Sequence, residues 1–171
     1  MLLHSLWLAE RPNISDGLKA ALLRQFSSPE ELYYCRESEL AALEMGGMTP
    51  EALEALGDKS LDGAEKTLEA CLKGGVSFLT PEDPKYPDRL RALYDAPVLL
   101  YYKGTLPEFD DLPTIALVGT RKASPYGLKT AQRLGGEIAQ GGGLVVSGLA
   151  EGVDAAAMVG ALNQRASVVG V

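Results

Sequence analysis

The chain has 171 residues and a formal net charge of −7, with 46% hydrophobic and 23% charged residues. That length holds one medium domain or two small ones, and the apolar content supports a packed core and excludes disorder as the default. No apolar run is long enough to span a bilayer, Met1 to Glu10 lacks the basic and apolar regions of a signal peptide, and Cys35 and Cys71 form no CxxC, so the expectation is a reduced, cytoplasmic protein without a membrane segment.

Residues 1–75 read as a series of short helices. Apolar residues recur at helical spacing in Leu18, Ala21 and Leu22, and again in Leu40 and Leu43. Ser15-Asp16-Gly17, Ser28-Pro29-Glu30-Glu31 and Thr49-Pro50-Glu51 each carry start signals: a capping hydroxyl followed by early acids, and in the last two a first-turn proline. Ser60 to Lys73 forms a further helix, ended by Gly74-Gly75. The pattern predicts a small all-α module whose aromatic residues Trp7, Phe26, Tyr33 and Tyr34 pack inside it. The two cysteines, placed within helical patterns, read as buried core filler, and His4 reads as a surface or core residue and not as a base.

Val76 to Thr80 and Val98 to Tyr102 read as strands, with a turn and a short helix between them around Asp83 to Leu90. From Thr114 the pattern becomes strand–helix–strand–helix–strand: Ile115–Val118, Leu128–Gln140, Leu144–Val146, Gly152–Asn163 and Ala166–Val171. That alternation predicts a parallel sheet with right-handed crossovers. Three strands fall short of a doubly wound domain, so the expectation is an incomplete sheet in a truncated or fragmentary chain. Met1 to Pro113 carries 11 Lys+Arg against 20 Asp+Glu, whereas Thr114 to Val171 carries 5 against 3. The acidic excess therefore lies wholly before the parallel sheet.

Two segments at the carboxyl ends of the predicted strands carry the chemistry. In the first, Val118 to Gly127, Gly119 permits a tight turn and close approach, Thr120 and Ser124 supply hydroxyls, and Arg121 and Lys122 supply cations suited to phosphate. The following helix is expected to aim free amides at the same place. In the second, Ser147 to Asp154, Ser147 and Gly148 offer a hydroxyl and an unobstructed amide beside the first loop. Asp154 either orders its loop and helix start or contacts a ribose or Arg121; Tyr126 either stacks a base or packs over the loop. Neither segment is a Walker loop or a dinucleotide fingerprint. Taken alone, the first is equally an ordinary β–α loop with surface charges; together the two favour a polyanion pocket. No catalytic set, metal-ligand set or cofactor motif is legible.

Asp83-Pro84-Lys85-Tyr86-Pro87, Asp95 to Gly104, Ala116 to Gly127 and Ser147 to Asp154 resemble, in order and separation, the ordered motifs of the DprA/Smf family. The resemblance covers about Asp83 to Val171, and the helical segment before it is similar, more loosely, to that family's SAM-like domain. It implies an α/β fold: an extended Rossmann-like parallel sheet, incomplete here, over residues 76–171, preceded by a small all-α SAM-like domain over residues 1–75. It implies single-stranded DNA binding and RecA loading in natural transformation and DNA repair, without enzymatic activity, and a homodimer in the full-length protein with this fragment able to be monomeric. On the family pattern Gly119, Thr120, Arg121, Lys122, Ser124, Tyr126, Ser147 and Gly148 line the DNA site. The family carries His where this chain has Met158, a position read as facing the pocket, and its later basic residues and most of its dimer and RecA surfaces fall beyond Val171. Two other readings stand beside this one: a nucleotide-binding or nucleotide-cleaving enzyme of the LOG type, and an interaction module acting through its acidic helices.

Overall fold

The computed structural model describes residues 2–171; Met1, the first residue of the expected helical module, lies outside the described residues. The chain divides into two compact units, Met1–Thr105 and Leu106–Val171.

The first unit opens with α1 (Leu2–Glu10), α2 (Asp16–Gln25), α3 (Pro29–Tyr34), α4 (Glu37–Ala41), α5 (Pro50–Gly57) and α6 (Asp62–Gly74). The expected caps form: the hydroxyls of Ser15, Ser28 and Thr49 accept the amides of Leu18, Glu31 and Ala52. Each such cap is worth about 0.5–2 kcal/mol. Leu6, Trp7 and Leu8 of α1 are fully buried against Leu22, Leu32, Leu40 and Leu56 of the helices around them. Trp7 also donates its indole N–H to the Asp58 carbonyl at 2.8 Å, which satisfies the one polar group of that buried ring.

The helical core continues past Gly75. Strand β1 (Ser77–Leu79) pairs antiparallel with β2 (Leu100–Tyr102), with α7 (Asp88–Arg91) between them. Val98 and Leu99 are buried in the helical core and Phe78 packs against it, so the hairpin compacts with the helices. The second strand is shorter than expected because Pro97 cannot donate to a ladder and Val98 and Leu99 turn into the core. Fully buried Tyr86 donates its hydroxyl to the Pro97 carbonyl at 2.7 Å, fixing the connection.

The expectations for Tyr34 and for the cysteines are corrected. Tyr34 is 70% exposed: at the last position of the six-residue α3 it points away from the core that Leu32 and Tyr33 face. Cys35 follows α3 as its cap, and both cysteines are free and only half-buried. His4, for which surface and core were both open, is buried, with its ring 4.6 Å from that of Tyr33.

The second unit contains β3 (Thr114–Ala116), α8 (Pro125–Gln140), β4 (Leu144–Ser147), α9 (Val153–Leu162) and β5 (Val168–Gly170). The strands are parallel in the order β3–β4–β5, with Ile115 beside Val145 and Val145 beside Val168. Strand β3 ends two residues before the expected Val118, although the Leu117 amide still reaches the Val146 carbonyl. Helix α8 begins three residues before the expected Leu128, because Ser124 caps it and Pro125 occupies its first position.

Helices α8 and α9 cover one face of the sheet, burying Val145, Met158 and Ala161 with Leu117, Ile138 and Val168. They approach at glycines: a Cβ on Gly135 would lie 2.0 Å from the Ala157 carbonyl oxygen, and one on Gly160 would lie 1.9 Å from that of Gln132. Met158, 6% exposed, is therefore a core residue and does not face the rim. It shares the buried stripe of α9 with Asp154, Ala157 and Ala161, at helical spacing.

Candidate functional site

The loops that follow β3 and β4 leave neighbouring strands of a parallel sheet at their carboxyl ends, where open α/β sheets place ligands. The structure joins them through Asp154. Its buried carboxylate accepts the Gly119 amide at 3.0 Å with one oxygen and the Gly148 amide at 3.1 Å with the other. One side chain of α9 thereby ties the first loop to the second. The Ser147 hydroxyl, then the Gly119 and Gly148 amides, favour the charged form and hold this carboxyl below the ordinary aspartate range. The hydroxyl does so by proximity: Ser147 Oγ is buried and has no well-aligned hydrogen-bond partner.

A second set of contacts locks the same junction. The Val153 amide, at the start of α9, donates to the Thr120 carbonyl at 3.2 Å. Gly152 adopts φ +89°, and a Cβ there would lie 2.3 Å from the Thr120 carbonyl oxygen and 2.6 Å from that of Arg121. Only glycine fits that backbone and that approach. Leu149, in the second loop, holds a left-handed φ of 55°. For a residue with a Cβ that conformation costs about 1–2 kcal/mol, strain kept in a loop of the candidate site.

These contacts change what the rim offers. The amides of Gly119 and Gly148, expected to be free, are taken by Asp154. The Gly127 amide is taken by the Ser124 hydroxyl at 3.2 Å, and Pro125 has no amide proton. Helix α8 therefore presents fewer free donors at its start than its position suggests. The Thr120 hydroxyl accepts the Lys122 amide at 3.2 Å, which turns the loop back on itself. Ser147 lies inside, 2% exposed.

Side chains remain. Arg121 and Lys122 are exposed and have no carboxylate partner among the described residues. Tyr126, in the first turn of α8, is 80% exposed, so it covers nothing and packs in no core. Of the eight residues expected to line the site, Arg121, Lys122, Tyr126 and the Thr120 hydroxyl face outward, whereas Gly119, Ser124, Ser147 and Gly148 build the frame. Asp154, of the two roles open to it, takes the loop-ordering one, and it extends that role from its own loop to the neighbouring one. Its spacing six residues after Gly148, in a glycine-bracketed loop, was the available signal.

Among the described residues no cluster of three or more His, Cys, Asp or Glu side chains is placed to hold a metal ion, and no helix is long and apolar enough to cross a membrane.

Comparison with known proteins gives a consistent result. The family model described as DNA recombination-mediator protein A matches residues 77–171. The DNA processing protein DprA of Bacillus subtilis is 30% identical over 106 residues, which are 62% of this chain and 36% of that protein. Protein Smf of Synechocystis is 28% identical across 96% of this chain and 42% of its own length. DprA of Streptococcus pneumoniae is 40% identical over 93 residues, 52% of this chain and 31% of its own. The chain thus spans about a third to two fifths of the length of these curated relatives. The crystal structure of DNA processing protein A from Streptococcus pneumoniae superimposes with a TM-score of 0.66 at 23% identity, over all of this chain and 57% of that one. That likeness shows the α/β fold.

Proposed function

The chain belongs to the DNA recombination-mediator protein A family, the DprA/Smf proteins, and on that premise we propose that its second unit binds the backbone of single-stranded DNA. The observation that carries the reading is the pair of unpartnered cations, Arg121 and Lys122, on a loop locked against Gly152 and Asp154. A loop held in this way loses little conformational freedom when a phosphate binds, so more of the electrostatic gain appears as affinity. Arg121 takes a phosphate with its planar fork and Lys122 adds a second charge. Thr120 and Ser124 flank the phosphate, Tyr126 stacks the adjoining base, and Gly119, Ser147 and Gly148 form the wall.

The reading is of a binding protein with no chemical step, cytoplasmic, which hands single-stranded DNA to the RecA recombinase in transformation and repair, as a homodimer in its full-length form. Residues 1–75 serve as the SAM-like helical domain. Residues 76–171 serve as the first part of the extended Rossmann-like domain, although the hairpin of β1 and β2 within that span packs on the helical core. The LOG-type enzyme reading gains no support from the site: Glu151, the carboxylate of the second loop, is exposed to solvent and has no ion-pair partner among the described residues, so nothing there prepares it as a catalytic acid.

Fluorescence anisotropy with a labelled oligothymidylate at several salt concentrations tests the proposal. Affinity falls as salt rises, and Arg121→Ala both weakens binding and flattens the salt slope by about 0.7, the share of one phosphate on a single strand. Equal binding by Arg121→Ala and the parent at every salt concentration removes the phosphate role.

A further inference from the structure

Beyond the rim, the solvent side of α8 and α9 carries an open groove of about 730 Å³. Its long wall is one face of α8. Tyr126, Lys129, Arg133, Glu137 and Gln140 line it at spacings of three and four residues, which places them in a single stripe. From Tyr126 to Gln140 that stripe runs about 21 Å at 1.5 Å per residue. The opposite wall is the end of α9 with Asn163 and Gln164, and between the walls lie Gly136 and Gly160, where the two helices meet backbone to backbone.

The lining has a specific chemistry. Tyr126 stands exposed at the end of the groove nearest the Arg121–Lys122 loop, two positions after the Ser124 cap. One turn further along, Lys129 is exposed and has no ion-pair partner among the described residues. Arg133 and Glu137 neutralise each other at 3.0 Å, so the net charge of the groove is that of Lys129. Gln140 and Gln164 hold each other through a carboxamide hydrogen bond at 3.1 Å, and Asn163 beside them remains open. The lining includes one aromatic ring and no large aliphatic side chain, so it offers a peptide no apolar anchor. An exposed ring next to an unpaired cation, followed by hydrogen-bonding amides, suits a single nucleic-acid strand: a base has a face to stack, a phosphate has a charge to meet, and base edges have donors and acceptors.

We propose that this groove is a second subsite for single-stranded nucleic acid, continuous with the rim. A strand held at Arg121 passes Tyr126, sets the next phosphate against Lys129, and runs along α8 toward Asn163 and Gln164. The inference rests on the single-stranded DNA reading of the rim and lengthens the footprint from one loop to a path along a helix.

The test compares a labelled thymidine dinucleotide, whose single phosphate fills the rim, with a labelled oligothymidylate of about 16 nucleotides, the upper end of single-strand site sizes, on the parent, Lys129→Gln, Lys129→Glu and Arg121→Ala. The proposal predicts that the long oligonucleotide loses about 3-fold in affinity with Lys129→Gln and about 10-fold with Lys129→Glu, its salt slope falling by about 0.7 for each phosphate left without a cation. The short one, filling only the rim, keeps its parent affinity on both. Arg121→Ala weakens both lengths. If Arg121→Ala weakens both while the Lys129 variants match the parent on both, the groove is overturned and the rim reading stands. If the Lys129 variants weaken short and long equally, the groove is no separate subsite and the proposal falls. If neither length binds the parent, the rim reading falls and takes this one with it. Competition by polyglutamate that is lost in Lys129→Glu, with no effect of that variant on the long oligonucleotide, assigns the groove to an acidic peptide and also overturns the proposal.

Discussion

The two units differ in which charges they bury. In the first unit several cations are held by the fold, whereas Lys66, Lys85 and Lys103 stay exposed without an ion-pair partner among the described residues. Arg11 pairs with the Asp58 carboxylate at 2.9 Å and donates to its carbonyl. Lys19 turns inward to the Ala9 carbonyl, and burial lowers its pKa. Arg24 reaches the Tyr94 carbonyl, and Arg91 reaches those of Asp83 and Tyr86. In the second unit the buried charge is the Asp154 carboxylate, which holds backbone, and the cations Arg121, Lys122 and Lys129 stand outside. Net charge hides this difference. A chain of net −7 can still present a locally basic rim, because net charge says nothing of where the exposed cations stand.

The largest expected effect separates the units by stability. Trp7→Ala deletes a fully buried ring and its hydrogen bond to Asp58, and should cost the helical unit about 3–5 kcal/mol, read as a lower denaturant midpoint by circular dichroism. Oligonucleotide affinity should stay at the parent value, because the rim belongs to the other unit. Next, Gly160→Ala forces a methyl group to within van der Waals overlap of the Gln132 carbonyl and should cost about 1–3 kcal/mol by overpacking. Here the loss falls on the second unit, and DNA affinity should drop with it. A smaller effect follows from Ser124→Ala, which leaves the Gly127 amide without its cap and should cost about 1 kcal/mol, visible as faster amide exchange at the start of α8.

The smallest effect at neutral pH concerns Asp154. Its pKa in the folded chain lies below the unfolded value of about 3.9, so its contribution is fully present above that value. It is lost as pH falls through the lower folded value. Protection of the Gly119 and Gly148 amides should therefore hold from pH 8 down to about 4 and decline only below it. Decline centred near pH 6 would assign the loop to some other group.

Much of this was legible in the chain. The capping residues Ser15, Ser28 and Thr49 announce their helices because capping is local chemistry. The parallel strands show in the apolar runs around Ile115, Val145 and Val168. Boundaries set by tertiary packing were less legible. The hairpin of β1 and β2 compacts with the helices because Val98 and Leu99 enter their core, and nothing in periodicity says which core a short apolar run will choose. The rim was legible as a set of residues and misread as a set of donors. Glycine amides in a loop after a strand look available; that Asp154 takes two of them depends on where α9 places its second residue. Met158 was misplaced for a related reason, since one buried stripe carries both Asp154 at the rim and Met158 beneath it.

The most direct test of the central claim, that binding resides in the unpartnered cations of the second unit, is a nitrogen-15-labelled titration of the chain with a single-stranded oligonucleotide. The account predicts shifts concentrated in residues 119–126 and 147–154, extending along α8, with residues 2–74 unmoved. Shifts concentrated in the helical unit with residues 119–126 silent would contradict it.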